Sequence, residues 1–199
     1  MLLVGASAGS QAKQVELNVA DVTDDEAGDF LFCGNINAAS DTQRNALLRK
    51  TGGGTLVHTG NFGNLYPASN AVSIEAGSWV LGGGESSGQD YNLNGGGLAV
   101  AECTTNTVGR LLAASSGKLT VAVGGSVVFA DSASADWAPG IRIQVEGDLE
   151  GGAIRFGASA SALAPSQLAK MRRGSHRVLL DSNGYLRDAG VRGIVVSFR

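Results

Sequence analysis

The sequence is poor in proline and in charge, and each shortage excludes a class of protein. Only 3 of its 199 residues are proline, so its 30 glycines do not belong to a proline- and glycine-rich low-complexity tract. Charged residues make up 17% of the chain, and the net charge is −3. Because the sequence has no basic stripe apart from Arg172-Arg173, we expect no nucleic-acid partner.

Cysteine is almost absent. The two cysteines, Cys33 and Cys103, are far apart and neither belongs to a Cys-x-x-Cys pair, which argues against a zinc site or a redox dithiol. In a fold of stacked strands, each is expected to fill a core position as a small apolar residue. A disulfide between them requires positions on neighbouring coils, and whether both thiols are free stays open.

The chain also lacks a run of apolar residues long enough to cross a bilayer, so no stable membrane span is expected. Residues 1–5 have neither the basic start nor the long apolar stretch of a signal peptide. Either the protein stays inside the cell, or the chain is a fragment of a longer secreted protein. The repeats described next favour the fragment, and hence an extracellular or bacterial outer-surface location.

Glycine is what the sequence has in excess, and it recurs in one phrase, a glycine pair followed by an alternating apolar run. The phrase occurs at residues 53–57, 96–100, 124–129 and 151–156. A glycine pair marks a sharp turn, because glycine adopts backbone conformations closed to other residues. The alternating run after it indicates a strand. Turn and strand together, repeated along the chain, predict a stacked β architecture.

Apolar and polar residues alternate in short segments bounded by Gly, Asn, Asp and Ser, which predicts strands separated by turns. The predicted strands are residues 15–22, 29–36, 54–58, 71–75, 78–81, 91–93, 97–101, 118–123, 126–130, 140–146 and 153–156. Residues 39–50 lack the alternation and are predicted as a surface loop or one helical turn.

Two-residue hairpin turns are rare in the sequence; Asn94-Gly95 is the one Asn-Gly between apolar runs. The commoner pattern is strand, short bend, strand and a longer polar excursion. It favours an all-β, right-handed parallel β-helix with coils of roughly 20–30 residues, with a β-sandwich as the alternative.

The end of the chain has a different character. Residues 163–171 are predicted as a short helix that begins near Pro165, has Arg172 and Arg173 in its last turn and is ended by Gly174. A strand at 177–180 and a turn at 181–184 follow. We therefore predict one domain with β-helix coils over 1–157 and a C-terminal cap of helix and hairpin over 158–199.

Residues 48–61, Leu-Arg-Lys-Thr-Gly-Gly-Gly-Thr-Leu-Val-His-Thr-Gly-Asn, resemble the autotransporter-associated β-strand repeat, and residues 72–81 look like its second half. Segments 128–137, 151–157, 163–168 and 179–186 are similar to the C-terminal part of repeat proteins that bacteria sort with a short Pro-Glu-Pro signal. This chain carries no Pro-Glu-Pro and no terminal apolar helix. The resemblance implies a secreted or surface-displayed β-helix and no particular activity.

These observations predict a non-catalytic passenger or adhesin-like segment that acts as an extended scaffold or recognition surface. Its expected partners are extracellular glycans or surface proteins of host or microbe, and no catalytic, cofactor-binding or metal-binding residue is assigned. A glycan-binding or glycan-degrading β-helix is the alternative. A subunit of a trimeric fibre is a third hypothesis. The oligomeric state stays open.

The best enzymatic candidates are Asp131 and Asp136, which flank a bend before Trp137. Two carboxylates that face each other cleave glycosides, but five positions apart across a bend they are better suited to turn hydrogen bonds. Trp137 and Trp79 would suit a sugar-stacking platform, although an isolated tryptophan is more often buried.

The remaining candidates have simpler interpretations. His58 is expected to face solvent or fill a polar position, and nothing in the sequence places it beside His176 in the capping region. The acids of the stretch Asp21, Asp24, Asp25, Glu26 and Asp29 offer oxygen ligands for calcium, but without the spacing of a known calcium loop. Residues 82–90 mimic a calcium-binding glycine-aspartate repeat only once. Solvated loops are favoured for both segments.

Overall fold

The structure is a computed structural model. It describes residues 2–4, 13–22, 28–38, 46–63, 72–147 and 149–190. Within these residues the chain winds into a parallel β-solenoid of about five turns. The predicted parallel β-helix is confirmed, and the alternative of a β-sandwich is wrong.

The strands are short, as the spacing of turn residues predicts. In chain order they are β1 (Leu2–Val4), β2 (Lys13–Asn18), β3 (Phe30–Phe32), β4 (Ile36–Ala38), β5 (Ala46–Thr51), β6 (Thr55–His58), β7 (Phe62–Gly63), β8 (Val72–Ile74), β9 (Ser78–Leu81), β10 (Tyr91–Leu93), β11 (Gly97–Val100), β12 (Thr105–Val108), β13 (Leu111–Ala113), β14 (Gly117–Val121), β15 (Ser126–Phe129), β16 (Ile143–Gly147), β17 (Ile154–Phe156), β18 (Met171–Arg173), β19 (His176–Leu180) and β20 (Leu186–Asp188).

Each coil visits three sides in turn. The first side is the five-stranded sheet β2-β5-β8-β10-β13, and the second is the nine-stranded sheet from β3 to β20. The third side consists of two three-stranded sheets, β1-β4-β7 and β12-β15-β17. Between these two sheets Ser86 makes a single bridge to Thr107, so the third side is weakest there.

The interior is filled by columns of side chains, because every second residue of a strand points inward. One column on the second side runs through Leu56, Trp79, Leu98 and Leu119, which pair in register from coil to coil and are all buried. On the third side Phe129 stacks on Phe156 with ring centroids 4.9 Å apart. The core is thus a continuous stack along the axis of the solenoid.

The C-terminal end is closed by a cap, which we define as the helix α1 (Pro165–Leu168) with β18, β19 and β20. Strand β18 still pairs in parallel with β16, whereas β19 and β20 are antiparallel to their neighbours. Gln167 ties α1 to the coil below, because its side-chain Nε2 donates to the carbonyls of Ser132 (2.9 Å) and Ala135 (2.8 Å). The predicted helix-and-hairpin cap is confirmed.

Three sequence predictions were wrong in detail. Residues 46–51 form β5 and are not a loop or helical turn, and Arg172 and Arg173 lie in β18 because the helix ends earlier. Cys33 and Cys103 do not fill core positions: both are exposed and free, at turns where the chain leaves the second side. In the described part of the chain, no helix has the length and apolar character needed to cross a membrane.

Candidate functional site

Asp131 and Asp136 lie on the bend that follows β15, and both are exposed. Asp131 Oδ1 accepts a hydrogen bond from the N–H of Ala133 (2.9 Å), which is the turn role that the sequence favoured for it. Ser132 between them is buried, and its Oγ accepts from the N–H of Leu111 (3.1 Å). The bend therefore ties β15 to the first side of the solenoid.

Both tryptophans are buried, so neither presents a ring on which a sugar could stack. Trp137 donates its indole N–H to the carbonyl of Leu111 (2.9 Å). Trp79 lies in the middle of an aromatic group with Phe62, Tyr91 and His58. Burial, the simpler interpretation from the sequence, is confirmed for both.

His58 points into the core, so the expectation of a solvent-facing histidine is wrong. Its ring stacks on Phe32 with centroids 5.7 Å apart, and its Nε2 lies 3.1 Å from the carbonyl oxygen of Gly34. Burial lowers the pKa of His58, and the Gly34 carbonyl acts in the opposite direction. His176 is exposed on the cap, 3.5 Å from Asp188 Oδ2, and is not part of the same site.

The acidic stretch shows structural contacts where it is described. Asp29 accepts hydrogen bonds from the N–H groups of Val22 (2.9 Å) and Thr55 (2.7 Å), whereas Asp21 is exposed. Asp24, Asp25 and Glu26 lie outside the described residues. Over the described ranges, no group of three or more His, Cys, Asp or Glu side chains is arranged to hold a metal ion.

A buried carboxyl group lies in the segment that mimics a calcium loop, and no sequence pattern indicated its burial. Glu85 accepts hydrogen bonds from the hydroxyls of Tyr91 (2.6 Å) and Ser87 (2.5 Å), and its N–H donates to Asn106 Oδ1 (2.8 Å). Burial raises the pKa of Glu85 to about 7, and the two hydroxyls act in the opposite direction. Burial also raises the pKa of Tyr91 well above its ordinary value.

Lys50 is fully buried at the bend between β5 and β6. Its ammonium group donates to the carbonyls of Thr51 (3.2 Å), Gly52 (2.7 Å), Gly54 (2.5 Å) and Ala76 (2.9 Å). Burial lowers its pKa, and the Asp29 carboxylate acts in the opposite direction. The lysine of the Lys-Thr-Gly-Gly-Gly-Thr-Leu phrase thus joins two successive coils, which the phrase alone did not reveal.

The outer surface carries a shallow groove that crosses several coils where the first side meets the second. It has a volume of about 490 Å³ and is lined by Gly77, Ser78, Gly95, Gly96, Gly97, Ser116, Gly117, Lys118, Arg142 and Gln144. Ser78, Gly97, Lys118 and Gln144 occupy one register position on four successive coils. Ser78 and Ser116 give the groove hydroxyl groups, and Lys118 and Arg142 give it cationic groups. Lys118 Nζ also pairs with Glu146 Oε2 at 3.1 Å.

The fold and these groups define the class as a parallel β-solenoid with a filled interior and a C-terminal cap. Comparison of the chain with protein-family models, with curated proteins and with solved structures finds no match. The functional proposal below therefore rests on the residues and their arrangement.

Proposed function

We propose that the chain is a non-catalytic segment of a secreted or surface-displayed bacterial β-helix, passenger-like or adhesin-like, which holds out an extended surface for recognition. One observation carries the proposal. The groups whose pKa values are most shifted by burial, Glu85 and Tyr91, lie inside the solenoid and bind each other, whereas the outer faces repeat small and polar residues from coil to coil. The resemblance of residues 48–61 to autotransporter-associated repeats supports the same function.

The physical basis of a display function is the stacking itself. Parallel strands pair with the coil above and the coil below, so their backbone groups are satisfied inside the sheets and the sides present side chains alone. Those side chains recur every ~4.8 Å along the axis. A filled stack of this kind resists unfolding and proteolysis, which suits an exposed location.

The surface location is tested on intact cells of the bacterium that makes the protein. An antiserum against this chain is expected to label intact cells or the culture medium, and protease added outside is expected to remove the label. A signal that appears only after lysis would contradict the proposal.

The absence of catalysis is tested with the purified chain on an array of host and microbial glycans, followed by an assay for new reducing ends. Binding without new reducing ends is expected from a recognition surface. Reducing ends that disappear in Asp131→Asn or Asp136→Asn would show instead that the bend after β15 is a glycosidase site.

A second candidate function, binding of an acidic glycan, is favoured by the groove that contains Lys118 and Arg142. Cations and hydroxyls along a groove that crosses the coils suit a linear polymer with carboxylates and hydroxyls. The probe is trigalacturonate, with cellotriose as the neutral comparison. Arg142→Gln is expected to weaken trigalacturonate binding roughly tenfold, a loss of about 1.4 kcal/mol. Arg177→Gln, which removes the same charge from the cap, is the matched control, and an equal loss there would reject the groove.

A further inference from the structure

The two ends of the solenoid carry opposite charge. Around β2 and β3, the described residues 13–22 and 28–32 contain three acidic residues, Glu16, Asp21 and Asp29, and one lysine. In the cap, residues 170–188 contain five lysines and arginines and two aspartates. The five cations are Lys170, Arg172, Arg173, Arg177 and Arg187. One end is thus acidic and the other basic, although the net charge of the chain is only −3.

Most of the exposed large apolar side chains lie at the same two ends. Of the five that are exposed in the described part of the chain, Val22 (74%), Phe30 (49%) and Leu31 (61%) lie at the acidic end and Leu179 (39%) lies on the cap, whereas Val123 (72%) lies on the turn after β14. Phe30 is in register with the buried Leu56, so it continues a core column, and among the described residues no further strand of this sheet lies on its outer side. A cavity of about 410 Å³ opens beside it, with Leu17, Val19 and Leu56 among its lining residues.

The nine-stranded sheet ends at β3 on the acidic side and at β20 on the basic side. Strands β3 to β18 are all parallel, β19 reverses direction and β20 reverses it again, so β20 runs in the same direction as β3. The N–H of Thr59 donates to the Phe32 carbonyl (3.0 Å), so Phe32 faces β6. In a parallel ladder the neighbouring residue, Leu31, then points its N–H toward the open edge, where a further strand can pair.

We propose that the chain associates head to tail with a second copy of itself. The acidic end of one copy receives the basic cap of the next, and β20 adds to β3 as a parallel strand. A second copy is the partner that the charges fit, because the cap supplies the cations that the acidic end lacks. Contact between two acidic ends would place like charges together, which costs several kcal/mol. A head-to-tail interface does not close on itself, so it propagates into a filament.

The test reverses the charge at one end at a time. The acidic-end variant carries Glu16→Lys and Asp21→Lys, and the cap variant carries Arg172→Glu and Arg177→Glu. Glu16 and Asp21 are exposed, and Glu16 contacts the Thr51 hydroxyl and the Arg49 side chain. Arg172 donates to the carbonyls of Ala169 and Met171. Glu102→Lys, on the exposed turn after β11, is the control for a charge change away from both ends.

Sedimentation velocity over a range of concentrations at low salt is the measurement. The average mass of the wild-type chain is expected to rise with concentration and to fall when salt is added. Each reversed variant alone is expected to associate at least roughly tenfold more weakly, and Glu102→Lys is expected to behave as the wild type. A 1:1 mixture of the two reversed variants is expected to recover association, because every contact between unlike variants joins opposite charges.

Three outcomes overturn the proposal. A wild-type chain that stays monomeric at every concentration would mean that some other partner covers the acidic end. A cap variant that associates like the wild type would indicate contact between two acidic ends. A mixture that does not associate would show that the two ends do not meet. Hydrogen exchange gives a second readout, since the amide of Leu31 is expected to exchange more slowly as concentration rises. None of these results depends on whether the sides bind a glycan.

Discussion

At the scale of single residues, the described part of the solenoid buries ionisable groups of several kinds, and three of them, Lys50, Glu85 and His58, are each stabilised differently. The Lys50 ammonium has four carbonyl acceptors, the Glu85 carboxyl has two hydroxyl donors, and His58 has one carbonyl. A buried charge is costly unless it is fully hydrogen-bonded. We therefore expect Lys50 to stay charged and Glu85 to bind a proton readily.

Glu85 is predicted to make stability depend on pH. Its pKa in the folded chain is about 7, against 4.5 for an ordinary glutamate, so between these values the folded state binds more protons than the unfolded state. Stability then falls as the pH rises from 4.5 to 7 and is constant above that range. Glu85→Gln cannot ionise, and it is expected to be more stable than the wild type at pH 8 by about 3 kcal/mol.

Urea unfolding at pH 4, 6 and 8 measures the effect of Glu85→Gln, which should vanish at pH 4. Glu146, which is partly exposed and pairs with Lys118 on the outer face, gives the control variant Glu146→Gln. We expect Glu146→Gln to change stability by less than about 0.5 kcal/mol at each pH. Equal stability of wild type and Glu85→Gln at pH 8 would contradict the buried, protonated state.

Lys50→Met is predicted to destabilise the fold by about 3 kcal/mol, because it removes a buried ammonium group that donates to four carbonyls of two coils while keeping the length of the side chain. Thermal and urea unfolding measure the loss. Lys118→Met, which removes an exposed ammonium from the second side, is the matched control and is expected to lie within about 0.5 kcal/mol of the wild type. Similar losses in both variants would mean that the buried ammonium contributes no more to stability than an exposed one.

The sequence predicted these groups poorly for a physical reason. Alternation shows which residues share a face of a strand, but it does not show that a charged residue on the inner face finds backbone acceptors in the next coil. Lys50 and Glu85 therefore read as surface residues, and β5 was missed because its inward positions include Lys50. The prediction for Cys33 and Cys103 was wrong in the opposite direction, since both were expected in the core and both are exposed. Apolar character does not show that a residue lies at a turn between two sides of the solenoid.

At the scale of elements, the glycine pairs predicted the positions of strands well but the lengths of the coils poorly. Each of the four pairs precedes or begins a strand, as predicted, namely β6, β11, β15 and β17. The first two strands belong to the second side and the last two to the third side. The intervals between the pairs are therefore not coil lengths, because the same phrase serves two different corners. Strand β12, whose polar Thr-Asn-Thr-Val has neither a glycine pair nor clear apolar alternation, was missed.

Tight stacking at the corners predicts that substitution by alanine has different costs in stability at two glycines. A Cβ added to Gly60 would lie 2.2 Å from the carbonyl oxygen of Gly34 in the preceding coil, whereas one added to Gly140 would meet nothing within 4 Å. Gly140 has φ +72, so alanine there has only the backbone cost of about 1 kcal/mol. Gly60→Ala forces two coils apart and is expected to cost about 3 kcal/mol. Urea unfolding measures the loss of stability in both variants. A larger loss for Gly140→Ala than for Gly60→Ala would show that the coils separate easily.

At the scale of the whole molecule, the solenoid is a stack in which each coil is stabilised by its neighbours, and its two ends are not equivalent. The cap covers the last coil, where Ile143 and Phe156 are fully buried. At the other end, Phe30 and Leu31 of the first coil are exposed. In such a stack the stability is close to a sum over coils and the interfaces between them. The first coil, with one described neighbour, should therefore be the least stable.

This asymmetry predicts a gradient of local stability along the axis. Hydrogen exchange at low protein concentration is expected to be fastest for amides of β2 and β3 and slowest for β11 and β14, which lie between other coils.

Phe129→Ala removes a fully buried ring that stacks on Phe156 and is expected to cost about 3 to 5 kcal/mol. Phe30→Ala removes a half-exposed ring and is expected to cost about 1 kcal/mol. If Phe30→Ala is as costly as Phe129→Ala at low concentration, the acidic end is already covered within a single chain, and the open-ended stack described here is wrong.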